Sequence, residues 1–217
     1  MSFPEIFKEE EKGGTISGVM PGIVTNNEDP EGMGRVKLSF PWRFAEDESD
    51  WVRVAAPMAG KERGMFFLPE VEDEVLVAFE MGDIHHPYVI GSLWNGKDTP
   101  PETNSDGKNN VRMIRSRSGH KITFNDDDSG KKEQIEIKTN AGHTILLDDS
   151  SGGEKIEIKD KTGSNTIIID SVSNSISFES STELTIKSKT INIESDGEMT
   201  VKAGATLNLK GMTVKIN

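Results

Sequence analysis

The sequence predicts an all-β protein in two unlike parts, an N-terminal OB-type barrel followed by an intertwined trimeric β-helix (β-prism). Three observations predict it. No stretch of useful length carries helical periodicity, whereas short apolar/polar alternations bounded by Gly, Pro, Asn and Asp recur throughout. From residue 111 onward the chain repeats itself: SGHKITFNDDDSGKKEQIEIKT is followed by AGHTILLDDSSGGEKIEIKD and then GSNTIIIDSVSNSISFES, a hairpin-scale period of about 22 residues. Each repeated strand has only two apolar positions on one face, and nothing else in the sequence is left over to cover that face.

The totals set the bounds. The 217 residues suffice for one or two domains, with 33% hydrophobic residues and a mean hydropathy of −0.51, as suits an elongated β protein. A formal charge of −12 argues against binding a phosphate backbone or resting on an anionic membrane. There is no cysteine, hence no disulfide and no thiolate metal site. Neither an 18-residue apolar run nor a signal-peptide pattern is present.

Residues 1–14, MSFPEIFKEEEKGG, read as an acidic arm that docks or frays. Residues 15–97 read as the barrel, with strands expected from Ile16 to Thr25, Gly34 to Phe40, Trp51 to Ala55, Met65 to Leu68, Glu74 to Phe79 and Tyr88 to Leu93. Trp42, Trp51, Phe66, Phe67, Phe79 and Trp94 are expected to supply its core and rim. Such barrels can stack nucleic-acid bases, but the loops here (EDPEG, AEDESD, EVEDE, EMGD) would repel phosphate. Residues 98–110 are a Pro/Gly/Asn/Asp-rich linker.

Residues 111–217 form the repeat part. Its paired alternations are Ile122/Phe124 with Ile135/Ile137, Ile145/Leu147 with Ile156/Ile158, and Ile167/Ile169 with Ile176/Phe178. Thereafter the period shortens to seven or eight, giving Leu184/Ile186, Ile191/Ile193, Met199/Val201 and Leu207/Leu209, then Val214/Ile216. A lone chain would expose this stripe and two strand edges. The reading is therefore that sister chains cover it, with the residues from Ile122 to Leu209 just named as a trimer core. A single-chain β-sandwich is the alternative, and two inward positions per strand are few for it.

Candidate chemistry is sparse. Asn125 to Asp128 lacks the ligand spacing of a calcium loop and reads as a solvated turn, as does Asp148-Asp149. His85 and His86 have no third ligand near them in sequence. His120 and His143 share a repeat position two residues before Ile122 and Ile145. Strand parity points them to the core face, where a threefold axis would make each a ring able to hold water, an anion or a metal. The alternative is a rim histidine, solvated or bonded to a neighbouring carbonyl. No catalytic residue, resident metal or cofactor is expected.

The blocks GIVTNNEDPEGMGRVKLSFPW, WVRVAAPMAG, RGMFFLPEVEDEVLVAFEMGD and HHPYVIGSLWNG resemble the OB domain of contractile-tail spikes. These are the phage baseplate assembly protein V group and the valine-glycine repeat protein G group of type VI secretion. The SGH-x-I-x-(F/L)-x-D-D repeats resemble that family's β-prism, so the likeness runs over residues 15–217. It implies a structural homotrimer, not an enzyme, that seats on a baseplate hub and punctures an envelope when the sheath contracts. Assembly would be cytoplasmic, within a phage tail, tailocin or injection-system particle, and action extracellular. Only about 14 residues precede the barrel, so the hub is expected to be a separate protein. Residues 97–110 leave no room for an inserted lysozyme, and the C-terminal GMTVKIN lacks the metal-binding histidines of some spike apices. Met212, Val214, Ile216 and Asn217 are then expected to bind a PAAR-type tip protein. The competing readings are a tail-associated polysaccharide- or peptidoglycan-degrading enzyme, and a passive scaffold or adhesin.

Overall fold

A computed structural model describes residues 16–43 and 48–216 of the chain. The N-terminal arm and Asn217 lie outside the described residues. The chain divides at Thr103/Asn104 into two compact units.

In the first unit, β1 (Val19–Asn26), β2 (Lys37–Ser39), β3 (Arg53–Val54), β6 (Glu74–Phe79) and β7 (Pro87–Ser92) form one sheet in the order β2-β1-β6-β7-β3. Val36 and Val52 exchange backbone hydrogen bonds of 3.0 and 2.7 Å across the two end strands, which closes the sheet on itself. Closure removes the free edges that would otherwise template association. Alternation decides what goes inside: Val75, Val77 and Phe79 of β6 face in, and join Val24, Val36, Leu38, Phe40, Val52 and Val89 as the core. Gly22 lets β1 cross this core closely, because a Cβ there would sit 3.3 Å from Val77 Cγ2 and 3.4 Å from Phe40.

The aromatic expectation is corrected in part. Phe79 is core, and Trp42 packs on Phe40 at 5.4 Å between ring centroids. Trp51 lies outside the core with the Lys37 ammonium over its ring. Phe66, Phe67 and Trp94 are 63–78% exposed. Small β-branched residues fill the interior because a five-stranded barrel is narrow. The strand expected at Met65 to Leu68 is also absent. The ladder there is a two-residue hairpin, β4 (Ala59–Gly60) with β5 (Arg63–Gly64), set by the turn Lys61-Glu62 with Glu62 at φ 55°.

The β1–β2 turn is built around Asp29. Its carboxylate accepts the backbone N–H groups of Glu31, Met33 and Arg35 and the Nε and NH2 of Arg35, at 2.7 to 3.3 Å. The Arg35 guanidinium holds this carboxyl well below the usual carboxylate range, with the backbone donors adding to the effect. A depressed folded-state pKa contributes stability that is present above the ordinary value near 4 and lost as pH falls below it. Thermal melts followed by tryptophan fluorescence should therefore show the barrel weakening between pH 4 and pH 2. Asp29→Asn should melt lower at pH 7 and show a flatter acid limb.

The second unit carries a seven-stranded antiparallel meander: β8 (Val111–Arg115), β9 (Lys121–Asn125), β10 (Gln134–Lys138), β11 (Thr144–Asp148), β12 (Lys155–Lys159), β13 (Asn165–Asp170) and β14 (Ser175–Ser180). All pairing is between sequence neighbours of the same chain.

Residues 181–216 are assigned to no strand and are exposed throughout. Strands expected there from the shortened period are therefore not formed within one chain, and the trimer-core expectation for these residues concerns an assembly of copies. Ile186, Ile193 and Val201 are 69%, 73% and 65% exposed, so none of them is core in the single chain. Leu184, Ile191, Met199, Leu207 and Leu209 are exposed in the same way. The physical reason is the missing ladder. Alternation gives a segment an apolar face, but burial needs a second layer over that face, and this segment has no strand partner among the described residues to begin one.

Candidate functional site

The meander's register sorts its side chains into rows. One face carries two apolar rows: Phe124, Ile135, Leu147, Ile156, Ile169 and Ile176 stand across from one another in sequence, as do Ile122, Ile137, Ile145, Ile158, Ile167 and Phe178. These are the twelve residues of this part expected as core. The single chain does not bury them: every one is exposed, by 37 to 64%, because one sheet has no layer of its own to put over them. Ile145, Ile158, Ile167 and Phe178 line an open groove with His143 and Leu184. A contiguous apolar surface of this kind marks an interaction site. Met212, Val214 and Ile216 are exposed as well.

Two members were not legible beforehand. Ile114, opposite Ile122, extends the second row onto β8, and Arg112, opposite Phe124, begins the first and pairs with Asp126. The run V-R-M-I-R hid them, since its arginines break the alternation. On the reverse face a central row runs Met113, Thr123, Glu136, Leu146, Glu157, Ile168, Ser177. Glu157 is only 7% exposed there, held by Lys159 at 2.9 Å and Lys155 at 3.2 Å. The Lys159 contact lowers its pKa against the opposing effect of burial.

The turns at each end of the strands repeat as faithfully as the strands. On one margin Gly119, Gly142 and Gly163 each take a positive φ (91°, 102°, 72°), which a side chain would resist. Ser116 Oγ, Thr139 Oγ1 and Asp160 Oδ1 each accept the backbone N–H that begins the return, from His120, His143 and Asn165. Thr162 and Asn165 hold the Asp160 carboxyl down at about 2. His120 Nδ1 accepts the N–H of Asn140, and His143 Nδ1 accepts that of Lys161, both at 3.2 Å. Each histidine thus stitches one turn to the next through an amide rather than a carbonyl. In this tautomer Nε2 carries the proton and offers a neighbour a donor, not a lone pair. On the other margin Asn125, Asp148 and Asp170 accept the N–H two residues on. Asp127 is occupied by Gly130 N–H and Ser129 Oγ within its own turn. His86 Nδ1 faces Asp83 at 3.0 Å. Among the described residues, no three His, Asp or Glu side chains converge as metal ligands.

In the barrel, β3 pairs with β7 in parallel while the other ladders of its sheet are antiparallel, and β1 lies between β2 and β6. A closed, five-stranded barrel with one parallel ladder among antiparallel ones fits the OB arrangement. Residues 20–94 match the model of the type VI secretion system/phage-baseplate injector OB domain. Residues 20–94 belong to that family. The LPEVEDEVLVAF stretch of the resembling blocks lies in this domain and spans β6 and the turn before it.

Relatives agree. The chain is 36% identical over 109 residues, 47% of its length, to the actin cross-linking toxin VgrG1 of Vibrio cholerae, of which this is 10%. It is 34% identical over 112 residues (48% of this chain, 11% of the relative) to the type VI secretion system spike protein VgrG3 of Vibrio cholerae. It is 32% identical over 99 residues (43% and 15%) to the spike protein VgrG1a of Pseudomonas aeruginosa. The matched segments thus span between a tenth and about a seventh of these relatives' length. Over these segments the chain is similar to the injector OB domain and to type VI secretion system spike proteins.

Proposed function

We propose that the chain is the central spike of a contractile tail or injection-system baseplate, a homotrimer that seats on the baseplate hub and pierces the target envelope when the sheath contracts. One observation carries this reading: an injector OB domain is followed by a repeat sheet whose two apolar rows lie open along its strands. Burying a large apolar side chain contributes about 1.5–3 kcal/mol, so twelve such residues per chain supply a strong drive for copies to meet. Residues 181–216 extend the demand, because their backbone has no strand partner in its own chain. Sister chains winding together there would satisfy the backbone and bring Ile186, Ile193 and Val201 out of water with the rest of the stripe. The role is mechanical, with no catalytic residue or cofactor, and Met212, Val214 and Ile216 offer an apolar end to a PAAR-type tip protein. The protein would be assembled inside the producing cell as part of the particle and would act outside it.

Sedimentation equilibrium of the purified chain tests the assembly. The expected mass is three chains, with a band above the monomer in SDS gels unless boiled, because interwound chains separate only after long segments unpair. A well-folded single chain at micromolar concentration would refute the proposal. Immunogold labelling of native particles should place the chain at the baseplate centre.

A further inference from the structure

The two margins of the meander carry opposite charge. On the margin of the Gly119, Gly142 and Gly163 turns, residues 115–121, 138–144 and 159–165 hold six cations (Arg115, Arg117, Lys121, Lys138, Lys159, Lys161) against the single anion Asp160. On the opposite margin, residues 125–134, 148–155 and 170–175 hold eight carboxylates against three lysines. The three turns of one margin therefore sum to +5 and those of the other to −5 in a chain whose total is −12, with Glu179 and Glu183 following at the β14 end of the basic side. Part of this charge is spent within the sheet: Lys121 and Lys138 reach Glu136 at 3.7 Å, and Lys159 reaches Glu157. Arg115 and Lys161 on one side, and Asp128 and Asp149 on the other, make no ion pair within the described residues and are exposed.

We infer that neighbouring copies meet margin to margin, the basic turns of one against the acidic turns of the next. This rests on the homotrimeric reading and adds how its corners are made. Two features favour a second copy as the occupant. The charges are complementary within one chain, so head-to-tail repetition satisfies both margins of every copy. The spacing is complementary too. Turns alternate between margins strand by strand, so each turn on one side lies level with a gap between two on the other, offset by about 4.8 Å, one strand spacing. Parallel copies can therefore interdigitate. The apolar rows supply adhesion, while the margins set which edge meets which and keep the copies parallel.

The test uses the whole chain and three variants: Arg115→Glu/Lys161→Glu, Asp128→Lys/Asp149→Lys, and all four together. Each double variant is expected to dissociate at a concentration at least 10-fold higher than the parent. The fourfold variant leaves the two sets of turns at only +1 and −1, so it should dissociate at a concentration at least as high as either double variant. Assembly of the parent should slow about 10-fold in 1 M salt, where screening acts over about 3 Å. All three tryptophans lie in the barrel, so their fluorescence reports its folding separately in every variant. A parent that is not trimeric overturns the proposed function itself. A trimeric parent indifferent to either double variant, or a fourfold variant as tight as the parent, overturns the margin pairing alone.

Discussion

Replacing Ile145 and Ile158 together by aspartate is expected to leave a folded chain that no longer assembles. The two stand opposite each other at the centre of the second apolar row. Both are exposed in the single chain, by 39% and 46%, so the hairpins that carry them lose little. In an assembly the same positions would be dry. The substitution forfeits about 1.5–3 kcal/mol per isoleucine and places unpaired carboxylates in a medium where each costs several kcal/mol. Across three copies that outweighs any plausible net association energy. Sedimentation should report one chain, the SDS-resistant band should vanish, and far-UV circular dichroism should keep its β signature. An intact trimer would mean that this face is not the one covered. Ile191→Asp/Ile193→Asp should behave alike in the later segment, where no intrachain pairing holds the backbone.

Leu38→Ala should produce the largest loss confined to the barrel. Leu38 is fully buried, at the middle of β2, and its neighbours are held by a closed ring of hydrogen bonds that cannot collapse inward. The expected cost is about 2–5 kcal/mol, or a drop in melting temperature on the order of 10–20 °C for a unit of this size. Tryptophan fluorescence and circular dichroism can read the two units apart. A change below 1 kcal/mol would show that the barrel core is able to repack.

The parts legible in the sequence were those where one physical rule acts alone. Period-2 alternation placed β9 to β14 nearly to the residue, because each strand is bounded by Asp, Gly or Ser turns and has one apolar face. The rows of Ile122 and Phe124 follow from the same rule. Rules in competition were harder. At Met65 to Leu68 the apolar run suggested a strand, yet the glycines and positive φ just before it took the ladder upstream, leaving Phe66 and Phe67 out in solvent. In Val111–Arg115 two arginines masked the strand that opens the meander. The same alternation that located β9 to β14 also ran through Ile186, Ile193 and Val201. There it met no neighbouring strand within the chain, so pattern alone produced neither ladder nor burial. The expectation of aromatics at core and rim held for Phe79 and Trp42 and not for Phe66, Phe67 and Trp94, because valines occupy most of a narrow barrel's interior. The charge split between margins is a property of register. No linear reading brings Arg115 and Lys161 to one side and Asp128 and Asp149 to the other until the strands are paired.

Pairing between sequence neighbours through residue 180, and none after it, divides the work of maturation in time. Adjacent hairpins close short loops, and proteins rich in local contacts fold fast. Each newly made copy can therefore finish its broad panel alone, as a prefabricated part. On the proposed trimer its last three dozen residues would stay a loose thread until companions arrive, so that stretch would be the final piece to harden.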